Sequence, residues 1–235
     1  MATNTPRPER REHPLSREQI VGAAVELLDD SGESGLTFRA LAERLATGPG
    51  AIYWHIANKG ELLGAAMEAV VTGVIPAVDA DAPPQQAVRA LGLGVFDAIE
   101  AHPWLGTQLA INPRQSPMLR VFETIGRQVR ALGVPPSAQF TAASALLNYS
   151  LGVAGQNAAN WNAVGPSVTR TEFLGATAKS WADLDPQEYP FLRSAADRLR
   201  DHDDRAEFLA GLDLVLAGIT TKLVPPPHED GPPPA

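Results

Sequence analysis

Tyr53, Trp54 and His55 stand side by side in a short stretch of otherwise small residues. Three amphipathic rings in a row cannot all enter one small core, so at least some must keep both ring and polar tip at a surface. One reading is that one or two pack inward and the rest is accident. The other is that the row meets a hydrogen-bonding partner. Catalytic chemistry is not spelled anywhere as clearly. The five histidines (His13, His55, His102, His202, His228) are scattered, and no H-E-x-x-H, G-x-S-x-G, Walker or G-x-G-x-x-G arrangement occurs in a suitable setting. Gly92-Leu93-Gly94 falls inside a helical pattern with no strand before it. Asp183, Asp185 and Glu188 could mimic a carboxylate pair near Trp181, but they lie among turn residues. With no cysteine there is no disulfide, thiolate metal site or cysteine nucleophile. The expectation is a protein that is not an enzyme and needs no cofactor or metal.

The elements around the row explain what it is for. Thr37 is placed to cap a helix whose buried stripe is Leu41, Ala42 and Leu45. Ala46-Thr47-Gly48 interrupts the pattern, with Gly48 able to take the positive φ of a sharp turn. Thr47 can cap a second helix, Gly50 to Ile56, which tolerates Pro49 in its first turn and sets Ile52 and Ile56 on one face. Asn58-Lys59-Gly60-Glu61 has the pattern of a capping box that opens the next helix, carrying Leu62, Leu63, Ala66, Met67 and Val70. Upstream, Ser16 and Gln19 form another capping box before Ile20, Ala24, Leu27 and Leu28, and Asp29–Gly32 ends that helix. The spacing is that of a helix-turn-helix, whose second helix enters the DNA major groove.

From Leu15 to about Met67 the chain resembles the DNA-binding domain of the TetR family of bacterial transcriptional repressors. T-F-R-A-L-A-E-R-L and G-A-I-Y-W-H-I-A-N-K-G-E-L-L carry the likeness, and the Y-W-H and N-K elements look like those of the tetracycline repressors. The resemblance implies that Arg39 forks onto guanine. Thr47, Gly48, Pro49, Gly50 and Ala51 would form the front of the reading helix. Being short of polar side chains, they suit thymine-methyl and backbone N–H contacts. Tyr53, His55 and Lys59 would touch phosphates or groove walls, with Trp54 packed on the backbone. The fourth helix would link the DNA-reading and ligand-binding parts mechanically.

Composition fits a helical chain whose 235 residues could hold one large or two modest domains: 44% hydrophobic, rich in Ala and Leu, with no apolar run of membrane-spanning length. No secretory signal follows the N-terminal arginines, so a cytoplasmic protein is expected. The net charge of −8 counts against DNA binding at first sight, and residues 1–60 hold seven Lys/Arg against eight Asp/Glu. A small dimeric reader needs only a few local donors, and the expected consequence is weak non-specific binding with a shallow salt slope. Arg7, Arg10 and Arg11 sit in a polar segment, residues 1–14, that is either a solvated tail or a minor-groove arm.

Beyond a loop at Pro76–Pro84, helices are expected over 85–101 (Val88, Leu91, Val95, Ile99), 117–132 (Leu119, Phe122, Ile125, Val129) and 138–161 (Ala142, Ala145, Leu146, Tyr149, Gly152, Val153). His102-Pro103-Trp104-Leu105 breaks the first. Further helices follow over 171–184, 193–203 and 205–223, the last with a broad face of Phe208, Leu209, Leu212, Val215, Leu216 and Ile219. That face suggests a partner subunit. Residues 224–235 form a proline-rich tail. Y-P-F-L-R at 189–193 and E-F-L-A-G-L-D-L-V-L-A-G-I at 207–219 resemble the regulatory domain of the tetracycline-repressor branch. The likeness implies a four-helix-bundle homodimer built from about 138–158 and 205–222. His102 falls at that branch's metal-chelating histidine, but its second histidine is replaced near Val74 and Ile75 by apolar residues, and its acidic position by Gln156 or a neighbour. A metal–drug chelate is therefore not expected. A mostly apolar small molecule is, in a pocket lined by Phe96, His102, Trp104, Gln108, Asn112, Phe122, Asn148, Gln156, Asn160 and Trp161. The fold expected is all-α: a helix-turn-helix domain over 15–75 (motif 37–56) and a larger helical effector-binding and dimerisation domain over 85–223. The function expected is operator binding and repression; a helical protein–protein adaptor, or an activator, is the alternative.

Overall fold

Ser16 Oγ accepts the Gln19 N–H at 3.2 Å while Gln19 Oε1 accepts the Ser16 N–H at 3.0 Å. This closed capping box opens α1 (Arg17–Gly35), which buries Ile20, Ala23, Ala24, Leu27 and Leu28. A computed structural model of the chain describes residues 14–74, 82–111, 116–164 and 168–224, with the side chains of 162–164 excepted. The three arginines of the arm, Ile75, most of the Pro76–Pro84 loop, Asn112 and the tail after Val224 lie outside the described residues. Those described form eleven helices and no strand.

The Asp29–Gly32 stretch does not end α1 outright. The helix breaks at Gly32 (φ 64°, ψ −168°) and a further turn runs to Gly35. Thr37 Oγ1 then accepts the Ala40 N–H at 3.1 Å and starts α2 (Phe38–Arg44), which buries Leu41 and Ala42.

The turn after α2 differs from the expectation in two respects. The left-handed residue is Ala46 (φ 46°), not Gly48 (φ −83°), and Gly48, not Thr47, is the N-cap of α3 (Pro49–Tyr53). The reason is the register of the stop signal. The Thr47 N–H bonds to Ala42 O at 2.9 Å and the Ala46 N–H to Glu43 O at 3.1 Å. That pair of bonds is a Schellman motif, which requires left-handed backbone at the first residue beyond the C-cap. A Cβ there is unfavourable by about 1–2 kcal/mol. After allowing for glycine's greater unfolded freedom, Ala46→Gly should stabilise the protein by about 0.5–1 kcal/mol, raising Tm by roughly 2 °C. Thermal melts followed by circular dichroism check this, and an unchanged or lower Tm would count against strain at Ala46.

Helix α3 stops at Tyr53 instead of reaching Ile56, with Trp54 and His55 in the turn beyond it, yet Ile52 and Ile56 are both fully buried. Asn58 Oδ1 accepts the Glu61 N–H at 2.9 Å to start α4 (Lys59–Val74). The reciprocal half of this box lands one residue further back than expected. Glu61 Oε2 takes the Ala57 N–H at 2.9 Å, and Oε1 pairs with Arg17 at 3.0 Å. The stripe Leu62, Leu63, Ala66 and Met67 is buried and continues through Val71, with Val70 only partly covered.

The chain divides into two compact units, Met1–Ala69 and Val70–Ala235. The dividing point lies within α4, where no loop composition could mark it. In the second unit α5 (Pro84–Ala101) buries Val88, Leu91, Val95, Phe96 and Ile99. His102 is a one-residue joint, not a four-residue break. Pro103 opens α6 (Pro103–Ile111), and Trp104 and Leu105 are buried within it. Proline is well suited to that first helical position, so a sequence that looks like an interruption is a restart. α7 (Ser116–Ala131) is turned slightly from its expected phase: Met118, Val121, Ile125 and Val129 are buried, Leu119 is exposed and Phe122 only half-covered. α8 (Pro136–Val164) is central, with α5, α6, α7 and α11 (Asp204–Leu223) all packed on it. It buries Ala142, Ala143, Leu146, Ser150, Ala154 and Ala158, leaving Ala145 and Gly152 exposed. α11 buries Phe208, Leu212, Leu216 and Ile219, while Leu209 and Val215 are partly covered. α9 (Arg170–Ala182) and α10 (Pro190–Arg200) pair with one another as a helical hairpin.

Two carboxylates cap this second unit. Glu172 Oε2 accepts the Thr169 N–H at 2.8 Å, and Asp203 Oδ1 accepts the Arg205 and Ala206 N–H groups, each at 3.0 Å. The Thr169 N–H holds the Glu172 carboxyl below its usual range, and the Ala206 N–H does the same for Asp203. Depressed carboxylate values stabilise the fold above the unfolded values and lose that effect as pH falls through the folded ones. The variant Glu172→Gln/Asp203→Asn keeps neutral caps, so its Tm should fall less steeply than wild type as pH drops below about 4.5. Parallel curves of Tm against pH would remove both groups from the acid response.

Candidate nucleic-acid interface and ligand cavities

The Tyr53-Trp54-His55 row is at the surface. Tyr53 is 53% and Trp54 90% exposed, and His55 is exposed beside them. Burial of Ile52 and Ile56 on either side fixes this outcome, because the short α3 and the turn after it have those two anchors and no others. Gly48, Pro49, Gly50 and Lys59 are exposed, and Thr47 and Ala51 partly so. The first unit therefore brings the nominated residues of its turn and reading helix to solvent. The Tyr53 ring lies flat on Phe38, with centroids 4.4 Å apart and planes 8° apart. Sequence reasoning overlooked Phe38, which reads as one apolar residue at a helix start.

Arg39 is held only by an exposed pair to Glu43, Nε to Oε1 at 3.1 Å. Lys59 Nζ donates to the backbone oxygen of Glu33 at 2.7 Å, which leaves two further N–H groups on the ammonium. Arg44 bridges Glu26 and Asp30. Hydrogen bonding and attraction to Asp30 raise its already high pKa. Acidic partners thus pair with each arginine of the described first unit.

The described residues among the ten expected to line one pocket are spread over separate cavities. Phe96 and Trp161 line a cavity of about 290 Å³ together with Glu100, Asn157, Arg170 and Asp204. Trp161 and Asn160 face an adjoining cavity of about 200 Å³ with Phe173, Trp181 and His202. Phe122 and Asn148 line a separate open groove of about 580 Å³ with Leu119 and Phe140. Trp104 and Gln108 are buried core residues lining none of the three, and Gln156 is exposed and lines none. His102 is half-buried, its ring 6.1 Å from that of Trp104. Asn112 lies outside the described residues. Helical rotation explains the dispersal. At about 100° per residue, Asn148 and Trp161 point roughly 140° apart on α8 and cannot share a cavity wall.

Glu100, Asn157, Arg170 and Asp204 were not legible as cavity residues. Asp204 accepts from Arg170 Nε at 3.1 Å through Oδ2 and lies 3.1 Å from His202 Nε2 through Oδ1. Arg170 Nη2 is 2.8 Å from the same Oδ2 without hydrogen-bond alignment, so that buried nitrogen is attracted by charge but makes no hydrogen bond. The acidic run near Trp181 behaves as a turn: Asp185 Oδ1 accepts the Gln187 N–H at 2.7 Å, and Glu188 accepts the Tyr189 hydroxyl at 2.9 Å. Among the described residues no three His, Asp or Glu side chains converge as metal donors, and no helix is long and apolar enough to cross a membrane.

A capped helix-turn-helix with exposed rings, joined in sequence to a helical unit with partly open cavities, is the architecture of a two-domain DNA-binding regulator. Residues 20–66 match the family "Bacterial regulatory proteins, tetR family", and residues 81–223 match "Tetracyclin repressor-like, C-terminal domain". The chain belongs to the TetR family and is a transcriptional regulator, not an enzyme. It is similar to a transcriptional regulator of known structure, SCO7222, a TetR from Streptomyces coelicolor. Identity is 61% over 88% of this chain and 99% of that one, with a TM-score of 0.80. It is 28% identical to the class D tetracycline repressor of Escherichia coli over 89% of this chain and 91% of the relative. Against the class C repressor of the same organism identity rises to 52% over 58 residues, 25% of this chain and 26% of the relative.

Proposed function

We propose that the chain is a repressor that binds a palindromic operator as a homodimer and is released by a small-molecule effector. The observation that carries this is the exposed Tyr53-Trp54-His55 row over the buried Ile52 and Ile56 anchors. Relatives named as tetracycline repressors support the sign of regulation. In this reading Arg39 forks onto a guanine, and Gly48, Pro49, Gly50 and Ala51 let the backbone approach the groove. Thr47 stands with them at the front of the reading helix, Tyr53, His55 and Lys59 contact phosphates or groove walls, and Trp54 packs along the DNA backbone.

A second copy of the chain suits the open faces of α8 and α11. Ala145, Asn148, Gly152 and Gln156 recur at helical spacing on one, and Ala210, Leu214, Ala217 and Thr221 on the other, all exposed. Leu214 is 76% exposed, and the small residues around it permit close helix packing. The effector sits in the cavity between Phe96 and Trp161, where aromatic faces meet the polar groups of Asn157, Arg170 and Asp204. It acts only through tighter binding to the state whose reading heads no longer match the groove spacing.

Selection of bound duplexes from a randomised pool by the wild-type chain, followed by footprinting and sedimentation of the complex, tests this. Two half-sites about 34 Å apart and two chains per duplex are expected. A chain that enriches no sequence at low ionic strength overturns the reading. A ligand that binds tightly yet leaves operator affinity unchanged overturns the release step.

A further inference from the structure

We infer that Phe38 is a positioning residue for DNA recognition, holding the Tyr53 phenol in the orientation that meets a phosphate. The inference rests on the DNA-reading proposal and adds to it a residue outside the reading helix and the turn before it. Phe38 is the first residue of α2 and Tyr53 the last of α3. Their rings lie 4.4 Å apart and 8° from parallel, so one face of Tyr53 is covered while the remainder of a 53%-exposed side chain faces solvent.

The three tyrosines of the chain make the point by contrast. Tyr149 donates its hydroxyl to the Phe208 backbone oxygen at 2.9 Å, and Tyr189 donates to Glu188 Oε1 at 2.9 Å. Tyr53 is stacked but makes no hydrogen bond through its hydroxyl to any described residue. A phenol fixed in place by its ring and left open at its oxygen is prepared to donate to an acceptor from outside the chain. Phosphate oxygens are the acceptors such side chains meet on a duplex. An unsupported exposed tyrosine would have to be immobilised on binding, which costs about 0.5–1.5 kcal/mol, or roughly two- to tenfold in affinity. The stack removes most of that cost before DNA arrives.

The test uses the full chain and the duplex that wild type enriches from a randomised pool, with affinity, salt slope, base preference and Tm measured for each variant. Phe38→Leu keeps apolar bulk but loses the stack, and is expected to weaken binding about two- to tenfold per half-site. Base preference and salt slope should stay unchanged, because no charge and no base contact is lost. Phe38→Tyr, which keeps a ring, should remain within about twofold of wild type. In a Tyr53→Phe background, where the hydroxyl is already gone, Phe38→Leu should cost little more. In fluorotyrosine-labelled protein, the resonance assigned by its loss in Tyr53→Phe should show greater ring mobility after Phe38→Leu; this readout needs no DNA.

Equal losses from Phe38→Leu in both backgrounds would mean that Phe38 acts on DNA by itself, and the inference falls. It falls equally if Phe38→Leu lowers Tm but leaves affinity and Tyr53 mobility untouched. Should Phe38→Leu not fold, Phe38→Met takes its place in the same cycle. A wild-type chain that enriches no duplex overturns the DNA-reading proposal and this one with it. One that binds DNA with Phe38 and Tyr53 uncoupled overturns this one alone.

Discussion

Arg39→Ala is expected to flatten the preference for one base pair in each half-site by about 1–3 kcal/mol, roughly 5- to 150-fold, while leaving affinity for unrelated duplexes nearly unchanged. The guanidinium is free enough to act. Its side chain is 89% exposed, and the pair to Glu43 is an i,i+4 contact in solvent, a class worth about 0.3–0.5 kcal/mol. Guanine O6 and N7 offer a bidentate acceptor that outweighs such a pair. Lys59→Ala should behave differently, weakening all sequences alike and reducing the salt slope by about one unit. Because Lys59 also donates to the Glu33 oxygen, the same change should lower Tm, whereas Arg39→Ala should not. Fluorescence anisotropy on the selected duplex and its single-base variants separates the two residues. Equal and uniform losses from both would reject the division of labour.

Gly211→Ala should be the most destabilising single-methyl change in the second unit. Tyr149 crosses from α8 over Gly211 on α11, its ring 5.5 Å from that of Phe208 and its hydroxyl bonded to the Phe208 oxygen at 2.9 Å. A methyl at 211 would overlap the Tyr149 hydroxyl and lie 2.7 Å from Cζ. The ring has to leave, and the hydroxyl bond goes with it. Overpacking of this kind costs about 1–3 kcal/mol and a hydrogen bond about 1 more, so a fall in Tm of roughly 5–12 °C follows. Burial, and secondarily the charge of Glu207, raises the pKa of Tyr149, so the bond holds as a neutral donor throughout ordinary pH. Tyr149→Leu/Gly211→Ala should recover part of the loss relative to the sum of the single changes, since the shorter side chain clears the methyl. Strict additivity would show that Tyr149 is not what the methyl meets.

Local signals in the first unit carried far because each is a short-range chemical requirement. Ser16 with Gln19 and Thr37 with Ala40 are hydrogen bonds between residues three apart, and the sequence states both partners. The buried Ile52 and Ile56 follow from spacing on a single element. Where the same unit departed from expectation, competition between equally local options decided. Ala46 and Gly48 could each have taken the left-handed turn, and the length of α2 chose Ala46. Pro103 could end one helix or begin another, and its fit at a first helical position made it a beginning.

What the amino-acid sequence determined by itself is the all-helical fold, the helix-turn-helix with its exposed aromatic row, and membership of the TetR family. The first two rest on periodicity, caps and turn residues within a few positions of one another, and the family on the likeness carried by the T-F-R-A-L-A-E-R-L and G-A-I-Y-W-H-I-A-N-K-G-E-L-L runs. Only the tertiary structure decided which polar and aromatic residues share a cavity. Phe96, Asn157, Trp161, Arg170 and Asp204 come from four helices, α5, α8, α9 and α11; α5 and α11 take their rotation from packing on α8, and α9 from packing on α10. A helix turns about 100° with each residue, so a phase error of one position moves a side chain from a cavity wall to solvent. The stack of Phe38 on Tyr53 belongs to the same class, since it joins side chains fifteen residues apart on consecutive helices, a contact no local pattern records.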